Sequence, residues 1–565
     1  MPQPRPAARA LAAELDISLT LAELLVARGY DSGAVAREFL HPSLARLPDP
    51  LGLRDMDLAL ARLLRAIRDR EKIQIHGDYD VDGTTSTVIL KRAIEIAGGE
   101  ATYRIPNRLR EGYGMHRDTV EAAAAMGVTL IISVDTGIRA AEVVEHARSF
   151  GIDVIVTDHH LPETELPKAV AVVNPNRADC TYAGKNLCGA GVAFKLVQAL
   201  LSTLPWPAEK LHRVLESFLK LVAIGTVADV VPLTGENRII VRFGLRGLAV
   251  RKNPGLDALF DVAGLKNGSP SAGQVAFRIA PRINAAGRMA DAGEVVEMFL
   301  TADSGRARAI AAQLHEWNAE RQGEEARIVE EVLAACALEP VGDADGSLVF
   351  CAENWHRGVL GIVASRLVER YCRPVFVLSI ENGVARGSGR SVSGVMLLDA
   401  LDSMPELFTQ YGGHSHAAGL SMPSAHVDEF RERFSRYAGD RLPPEDRRPG
   451  VRVDAVVESA AVNTALFEDL QMMEPFGMGN PEPVLALLDC EVCSFQLMKE
   501  KHVRLAVRSS GRMLFLKGFN LAERATEMSP GSRIDIAFTM SADSLSGGWA
   551  AILKDVRRSE DVCRT

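Results

Sequence analysis

From residue 72 onward the chain alternates short apolar runs with helical patterns. KIQIHG (72–77), VTLIISV (128–134), GIDVIVT (151–157), AVAVV (169–173) and LVAIGTVA (221–228) have the length and aliphatic character of buried strands. Between the first of them lie TTSTVILKRAIEIAGG (84–99), RDTVEAAAAMG (117–127) and RAAEVVEHARSFG (139–151), with apolar residues at helical spacing. Terminal glycines mark the end of the first helix. Strands alternating with helices predict a parallel α/β sheet.

The same reading divides the rest of the chain. Residues 1–70 form short helices ending in LALARLLRAI, and 71–300 form the α/β unit. Residues 301–338 read as one or two long, strongly charged helices, with a break at GDADG (342–346). A β-α-β pattern restarts in SLVFCAENWHRGVLGIVASRLVERYCRPVFVLS, so 339–440 is a second α/β unit. The proline-rich, charged 441–450 is a linker. Beyond it, 451–558 carries several short strands, enough for a small barrel.

Composition narrows the setting. At 565 residues, 47% hydrophobic and 24% charged, the chain is an ordinary multi-unit globular protein. It has no 18-residue apolar run and its N-terminus does not resemble a secretory signal. The eight cysteines are scattered, which points to a reducing cytoplasm. The CxxC at Cys490 and Cys493 has no second pair nearby and falls in a strand-like run, so it is not read as a zinc or redox site. A net charge of −9 excludes a globally basic DNA coat but leaves local patches open.

The chemistry begins at HGDYDVDG (76–83). A calcium loop starting at Asp78 needs a glutamate at its twelfth position, and that position is Ile89. An aspartyl-phosphate motif would need the strand to end later than residue 76. A solvated acidic turn is the remaining bland reading. Against it, further acids and imidazoles stand where other apolar runs stop: Asp135, Asp158-His159-His160 and Asp229. Ligands bind at that edge of an open α/β sheet. His76, Asp80, Asp82, Asp135, His159 and Asp229 would thus share one crevice. So many carboxylates need counter-charge, and their mixture with imidazole suits two Mn²⁺ or Mg²⁺ ions. Such a pair serves a phosphoesterase or a pyrophosphatase.

HGDYDVDG, SVDTG, TDHH and GTVADVVPL resemble the motifs of the DHH phosphoesterase superfamily, while GSGRSVSG (387–394) and GGHSHAAG (412–419) resemble its DHHA1 domain. With NWHRGVLGIVASRL, FRIAPRINAAGRM and the trailing barrel, residues 20–556 resemble the branch made of 5′→3′ exonucleases specific for single-stranded DNA. The resemblance implies a DHH parallel-sheet domain, a DHHA1 α/β domain, a helical connector and a C-terminal OB-fold barrel. It implies processive degradation to mononucleotides in DNA recombination and repair. His76 and Asp80 would bind one metal, Asp82, His159 and Asp229 the other, and Asp135 both. His160 would face the scissile phosphate and Asp158 orient an imidazole. The role of Asp78 is open. A single-strand-binding protein and a RecQ-type helicase are implied partners, and the chain is expected to be a cytoplasmic monomer.

For the DNA, the resemblance places the strand's 5′-phosphate at Ser388, Arg390 and Ser391, with Gly412, Gly413 and His414 in the same cleft. Arg108, Arg278, Arg282, Asn284 and Arg288 are candidates for backbone contacts, and Tyr113 for stacking. In the barrel, residues 499–517 hold six Lys/Arg and one acid, with Phe495, Phe515 and Phe519 interleaved. Basic and aromatic residues together fit an OB-fold that tracks a single strand through Lys499, Lys501, Arg504, Arg508, Lys517 and Phe519. The bland alternative makes the phenylalanines barrel core. Two rival functions remain: a DHH phosphodiesterase for short oligonucleotides or cyclic dinucleotides, and a non-catalytic single-strand-binding scaffold.

Overall fold

The computed structural model describes residues 6–559 except 109, 266–267, 343 and 544–546. The predicted break at 342–346 therefore includes one residue, Asp343, outside the described set. Strands β1 (Ile73–His76), β2 (Ala101–Arg104), β3 (Leu130–Val134), β4 (Asp153–Thr157) and β5 (Ala171–Val173) form the first sheet, in the order β2-β1-β3-β4-β5. Every pair is parallel. Strands β1 and β3 are buried along their whole length, which explains their unbroken apolar character.

Helices cover this sheet. Helix α1 (Val81–Ile96) starts three residues earlier than its apolar pattern predicts, because Asp80 caps it and Asp82 lies in its first turn. Helices α2 (Gly189–Ser202) and α3 (Ala208–Ala228) pack against α1. The run LVAIGTVA is thus the end of a buried helix and not a strand. A short apolar run in a core carries no period that separates the two. Asp229 is consequently a helix C-cap.

Helix α4 (Ala280–Met289) leads to α5 (Ser304–Leu338), a single unbroken helix of 35 residues and about 50 Å. Its first half places Ala307, Ile310, Ala311 and Leu314 in the core of the first lobe. Its second half places Ile328 and Val332 in the core of the second. That lobe is built on β6 (Leu348–Glu353), β7 (Val375–Glu381), β8 (Val384–Arg390), β9 (Gln410–Gly413) and β10 (Ala417–Pro423), in the order β6-β7-β8-β10-β9. Only β6 and β7 run parallel. The linker contains a short helical turn, Pro444–Arg447, whose buried Arg447 guanidinium bonds the Leu442 carbonyl at 2.7 Å.

The C-terminal strands are β11 (Ala455–Val456), β12 (Leu485–Met498), β13 (His502–Ser509), β14 (Arg512–Gly518), β15 (Arg533–Asp543) and β16 (Gly548–Arg558). Pairing of β12 with β15 closes β12-β13-β14-β16-β15 into a barrel. Cys490 and Cys493 are free thiols: the first is buried in the barrel, the second lies 3.7 Å from the Met513 sulfur.

The N-terminal helices do not act as one segment. Leu11, Leu21, Leu25 and Phe39 share the core of the barrel, whereas Met56, Ala59 and Leu63 pack under the first sheet. Amphipathic spacing identifies a helix but not which distant surface receives its apolar face. Arg238 ties these parts together. Buried, it donates to the carbonyls of Phe39 (2.8 Å), Met473 (2.8 Å) and Met472 (3.0 Å), with its guanidinium 3.8 Å from the Phe39 ring centroid. Burial lowers its pKa to about 10. Replacing Arg238 with Met takes the donor from the Phe39 and Met472 carbonyls, while Met473 keeps that of Asn480 at 2.8 Å, and is expected to destabilise the protein by about 2 kcal/mol or more. Thermal unfolding followed by calorimetry checks this, with the first transition moving down.

Candidate metal centre and nucleic-acid cleft

The acidic string folds as it does for local reasons. After β1 the chain turns sharply, and Asp80 Oδ1 accepts the Gly83 N–H at 3.0 Å as the cap of α1. Gly83 is required there, since a Cβ would sit 2.5 Å from the Asp78 nitrogen. Asp82 turns inward and accepts the N–H groups of Gly189 and, at 2.9 Å, Ala190. The N-terminus of α2 thus holds its carboxylate. A Cβ on Gly189 would lie 2.5 Å from Asp135, so the helix reaches the acids only because it begins with glycine. The sequence signal for this, the run CGAG (188–191), is legible only once the acids are located.

Asp135 follows β3 with φ of 60°, an unusual conformation for a residue with a side chain, and Val230, next to Asp229, has φ of 59°. Asp158 accepts from the Ile138 N–H at 2.9 Å, the His159 N–H at 2.7 Å and the His160 Nδ1 at 2.7 Å. Behind the imidazoles, Asn174 donates to the His160 carbonyl at 2.9 Å and Asn176 to that of His159. These two asparagines, in the NPN after β5, were not singled out from the sequence.

His159 Nε2 stands 3.1 Å from Asp135, 3.7 Å from Asp229 and 3.9 Å from Asp82. Three sets of possible ligand atoms lie within 4.8 Å of one another: Asp82, His159, Asp229; Asp78, Asp80, Asp135; and Asp135, His159, His160. Asp135 is shared, so the donors describe two adjacent centres. His76 is in none of these sets. Its buried ring lies 3.4 Å from the Gly114 carbonyl, and burial lowers its pKa to about 4. Asp78, whose role the sequence left open, is in one of these sets with Asp80.

The donor set fits divalent cations on its own evidence. Asp78 Oδ1, Asp135 Oδ1, Asp229 Oδ2 and His159 Nε2 are buried with no hydrogen-bond partner among the described residues. Burial, then mutual repulsion, raises the pKa of Asp78, Asp135 and Asp229 well above the carboxylate range. Cations reverse that situation. Burial opposes charge on His160 as well, but the bond from Asp158 outweighs it and the pKa is raised.

Arginines of both lobes gather near these acids. Arg108 lies 4.9 Å from the Tyr79 ring centroid and lines a cleft of about 440 Å³ with Arg357, Arg386, Ser388, Gln410 and Gly412. Arg288 crosses between the lobes to the Gly358 carbonyl at 2.8 Å. Arg390, on the same strand as Arg386, bonds its neighbour's carbonyl. Gly413 turns with φ of 150° and carries His414 toward the first lobe, where burial, Arg139 and His160 lower its pKa. Tyr113 donates to the Asp135 carbonyl at 3.3 Å with its ring half exposed. Arg357, inside NWHRGVLGIVASRL, and Arg386, one residue before GSGRSVSG, were missed from sequence.

The family models that match are the DHH family, N-terminal domain, over residues 72–226, the DHHA1 domain over 345–440 and the RecJ OB domain over 453–550. A single-stranded-DNA-specific exonuclease RecJ from Dickeya dadantii is 37% identical over 551 residues, 95% of this chain and 96% of that protein. Its namesake from Bacillus subtilis is 37% identical over 537 residues, 94% of this chain and 67% of that one. The chain belongs to the RecJ family. A RecJ structure from Thermus thermophilus in complex with Mn²⁺ superposes with a TM-score of 0.83 at 31% identity, covering 98% of this chain and 78% of that one. A Mg²⁺ complex of the same protein gives 0.76 at 30% identity, over 98% and 76%.

Other residues read from the sequence have different places within this RecJ framework. Arg278 and Arg282 bond the carbonyls of Ala263 and Val262, at the end of the helix Pro254–Val262, and Arg282 also meets His315 at 3.3 Å. They serve as caps of that helix rather than lying among the acids. Asn284 accepts the Val81 N–H at 3.2 Å and so fixes the acidic turn. Ser391 is committed to its own turn, donating to the Val395 carbonyl at 2.6 Å.

On the RecJ OB barrel, Arg504 pairs across the sheet with Lys517, Ala506 with Phe515 and Arg508 with Met513. Phe515 and Phe519 are 68% and 57% exposed, so neither is core; Phe495 packs against it. Lys499, Lys501 and Arg504 are exposed. Arg508 pairs with Glu491 and Lys517 with Asp543, each at 3.2 Å.

Because Asp158 sets the orientation of His160, Asp158→Asn is expected to lower activity about 10- to 100-fold with the fold intact. Steady-state rates beside a circular dichroism spectrum check both halves.

Proposed function

We propose that the chain is a two-cation phosphodiesterase that removes mononucleotides processively from the 5′ end of single-stranded DNA. The observation that carries this is the convergence of four buried ligand atoms, on Asp78, Asp135, His159 and Asp229, that have no hydrogen-bond partner among the described residues, near a cleft lined with arginines. We assign Asp78, Asp80 and Asp135 to one cation and Asp82, Asp135, His159 and Asp229 to the other. Bound Mn²⁺ or Mg²⁺ would supply a nucleophilic water and neutralise the phosphate oxygens.

The chain's own groups do the rest. His160, with Nδ1 held by Asp158, presents Nε2 to the scissile phosphate and donates a proton as the bond to the leaving oxygen breaks. Arg108 and Arg288 place the backbone. Ser388, Arg386 and Arg390 hold the terminal phosphate, which sets the end that enters first. A cleft closed on both sides by lobes admits one strand and excludes a duplex. The outer face of the barrel, with Phe515, Phe519, Arg504 and Lys517, grips the strand not yet cut.

The working units are residues 71–300, 301–338, 339–440 and 451–558, with 441–450 as a linker. Among the described residues no helix is long and apolar enough to cross a membrane. We place the protein in the cytoplasm as a monomer acting in recombination and repair. A single-strand-binding protein and a RecQ-type helicase are its proposed partners.

Strands labelled at either end, incubated with Mn²⁺, test the reading. The 5′ label is expected to appear at once as mononucleotide, with the 3′ label retained in shortening strands; preferential hydrolysis of dinucleotides refutes it. Asp135→Ala, removing the shared ligand, is expected to abolish both Mn²⁺ binding by calorimetry and cleavage. In the barrel, Arg504→Ala is expected to weaken strand binding uniformly across sequences. It should also reduce the slope of log affinity against log salt by about 0.7, the single-strand value for one phosphate contact.

A further inference from the structure

Phe277 is 83% exposed, more than any other aromatic side chain among the described residues. It lies in a π-helical turn, Val275–Ile279, a widened geometry concentrated at functional positions. The turn runs directly into α4, and the two share one buried stripe: Val275, Ile279, Ile283 and Ala286. On the opposite side Gly273 and Phe277 are exposed, and the same line continues through the half-buried Pro281, Asn284 and Arg288.

The far end of that line is in the catalytic cleft. Asn284 holds the Val81 N–H, Gly287 packs so tightly on the Tyr79 carbonyl that a Cβ would lie 2.5 Å away, and Arg288 bonds Gly358 of the second lobe. Phe277 is eleven residues from Arg288, roughly 16 Å along the helical path. Its neighbours Arg278 and Arg282 bond only carbonyl and imidazole groups, and neither has a carboxylate partner among the described residues. An exposed aromatic ring beside two unneutralised cations is the arrangement that holds single-stranded nucleic acid by base stacking and phosphate attraction.

We infer that Phe277 is a stacking platform for one base of the uncut strand, a few nucleotides from the scissile phosphate. It is a positioning residue: it keeps the strand directed along α4 into the cleft. Arg278 and Arg282, while capping the helix Pro254–Val262, supply the positive field there. The inference rests on the single-strand exonuclease reading.

Phe277→Ala and Phe277→Trp test it on a long 5′-phosphorylated strand with Mn²⁺. Phe277→Ala is expected to raise KM at least about fivefold, the lower end of the loss for one stacked base, with kcat changed less than about twofold. Phe277→Trp is expected to restore KM, which a purely structural role does not predict. With a cleavage-resistant phosphorothioate strand, 2-aminopurine scanned along the sequence should be quenched at one internal position by the unmodified protein and not by Phe277→Ala. Unchanged KM in Phe277→Ala, or quenching that survives the substitution, overturns the inference. Failure of the unmodified protein to cut the strand at all would instead refute the exonuclease reading.

Discussion

Buried carboxylates that repel one another are the constraint on which the rest of this molecule depends. Asp78, Asp82 and Asp135 are withdrawn from water and Asp229 is half-buried beside them, and the free energy of bringing like charges this close rises steeply as solvent is excluded. Protein groups relieve some of it: the amides of α2 take the Asp82 carboxylate, and Asp158 is satisfied by amides and the His160 ring. Atoms of the other acids have no hydrogen-bond partner among the described residues, and their arrangement is intelligible only with cations in place. The local features of the lobe serve that end. Glycines stand where α2 and the acidic turn must approach, and Asp135 and Val230 accept strained backbone angles to aim the ligands.

A second consequence is the separation of charge near the cleft. The acids cluster in the first lobe, whereas Arg386 of β8, Arg357 and, from the first lobe itself, Arg108 line a neighbouring cleft. The net charge of −9 conceals this, because a sum over the whole chain carries no record of where each charge stands.

The sequence was informative where function requires several residues within one short segment. The strand-end acids, the parallel sheet, the long connector and the barrel are all local in that sense. It was uninformative where the same pattern serves two structures or where partners are distant. LVAIGTVA reads equally as a strand or a buried helix, and only packing against α1 decides. Nothing in the sequence signals that Arg278 and Arg282 also hold the carbonyl end of a neighbouring helix. Asn174 and Asn176 hold the histidine backbone from across a strand, a relation no spacing records. Spacing within HGDYDVDG does not say which of His76 and Asp78 stands nearer the other acids; in the fold it is Asp78.

The connector α5 is embedded in two cores, one at each end, and no flexible joint interrupts it. A loop between lobes would absorb an added or lost residue. A helix cannot: each such change advances everything beyond it by about 100° and 1.5 Å. Insertion of a single residue near the middle would rotate Arg357 and Arg386 away from the acids while leaving both lobes individually well folded. The length of this helix is therefore the gauge that sets one lobe against the other.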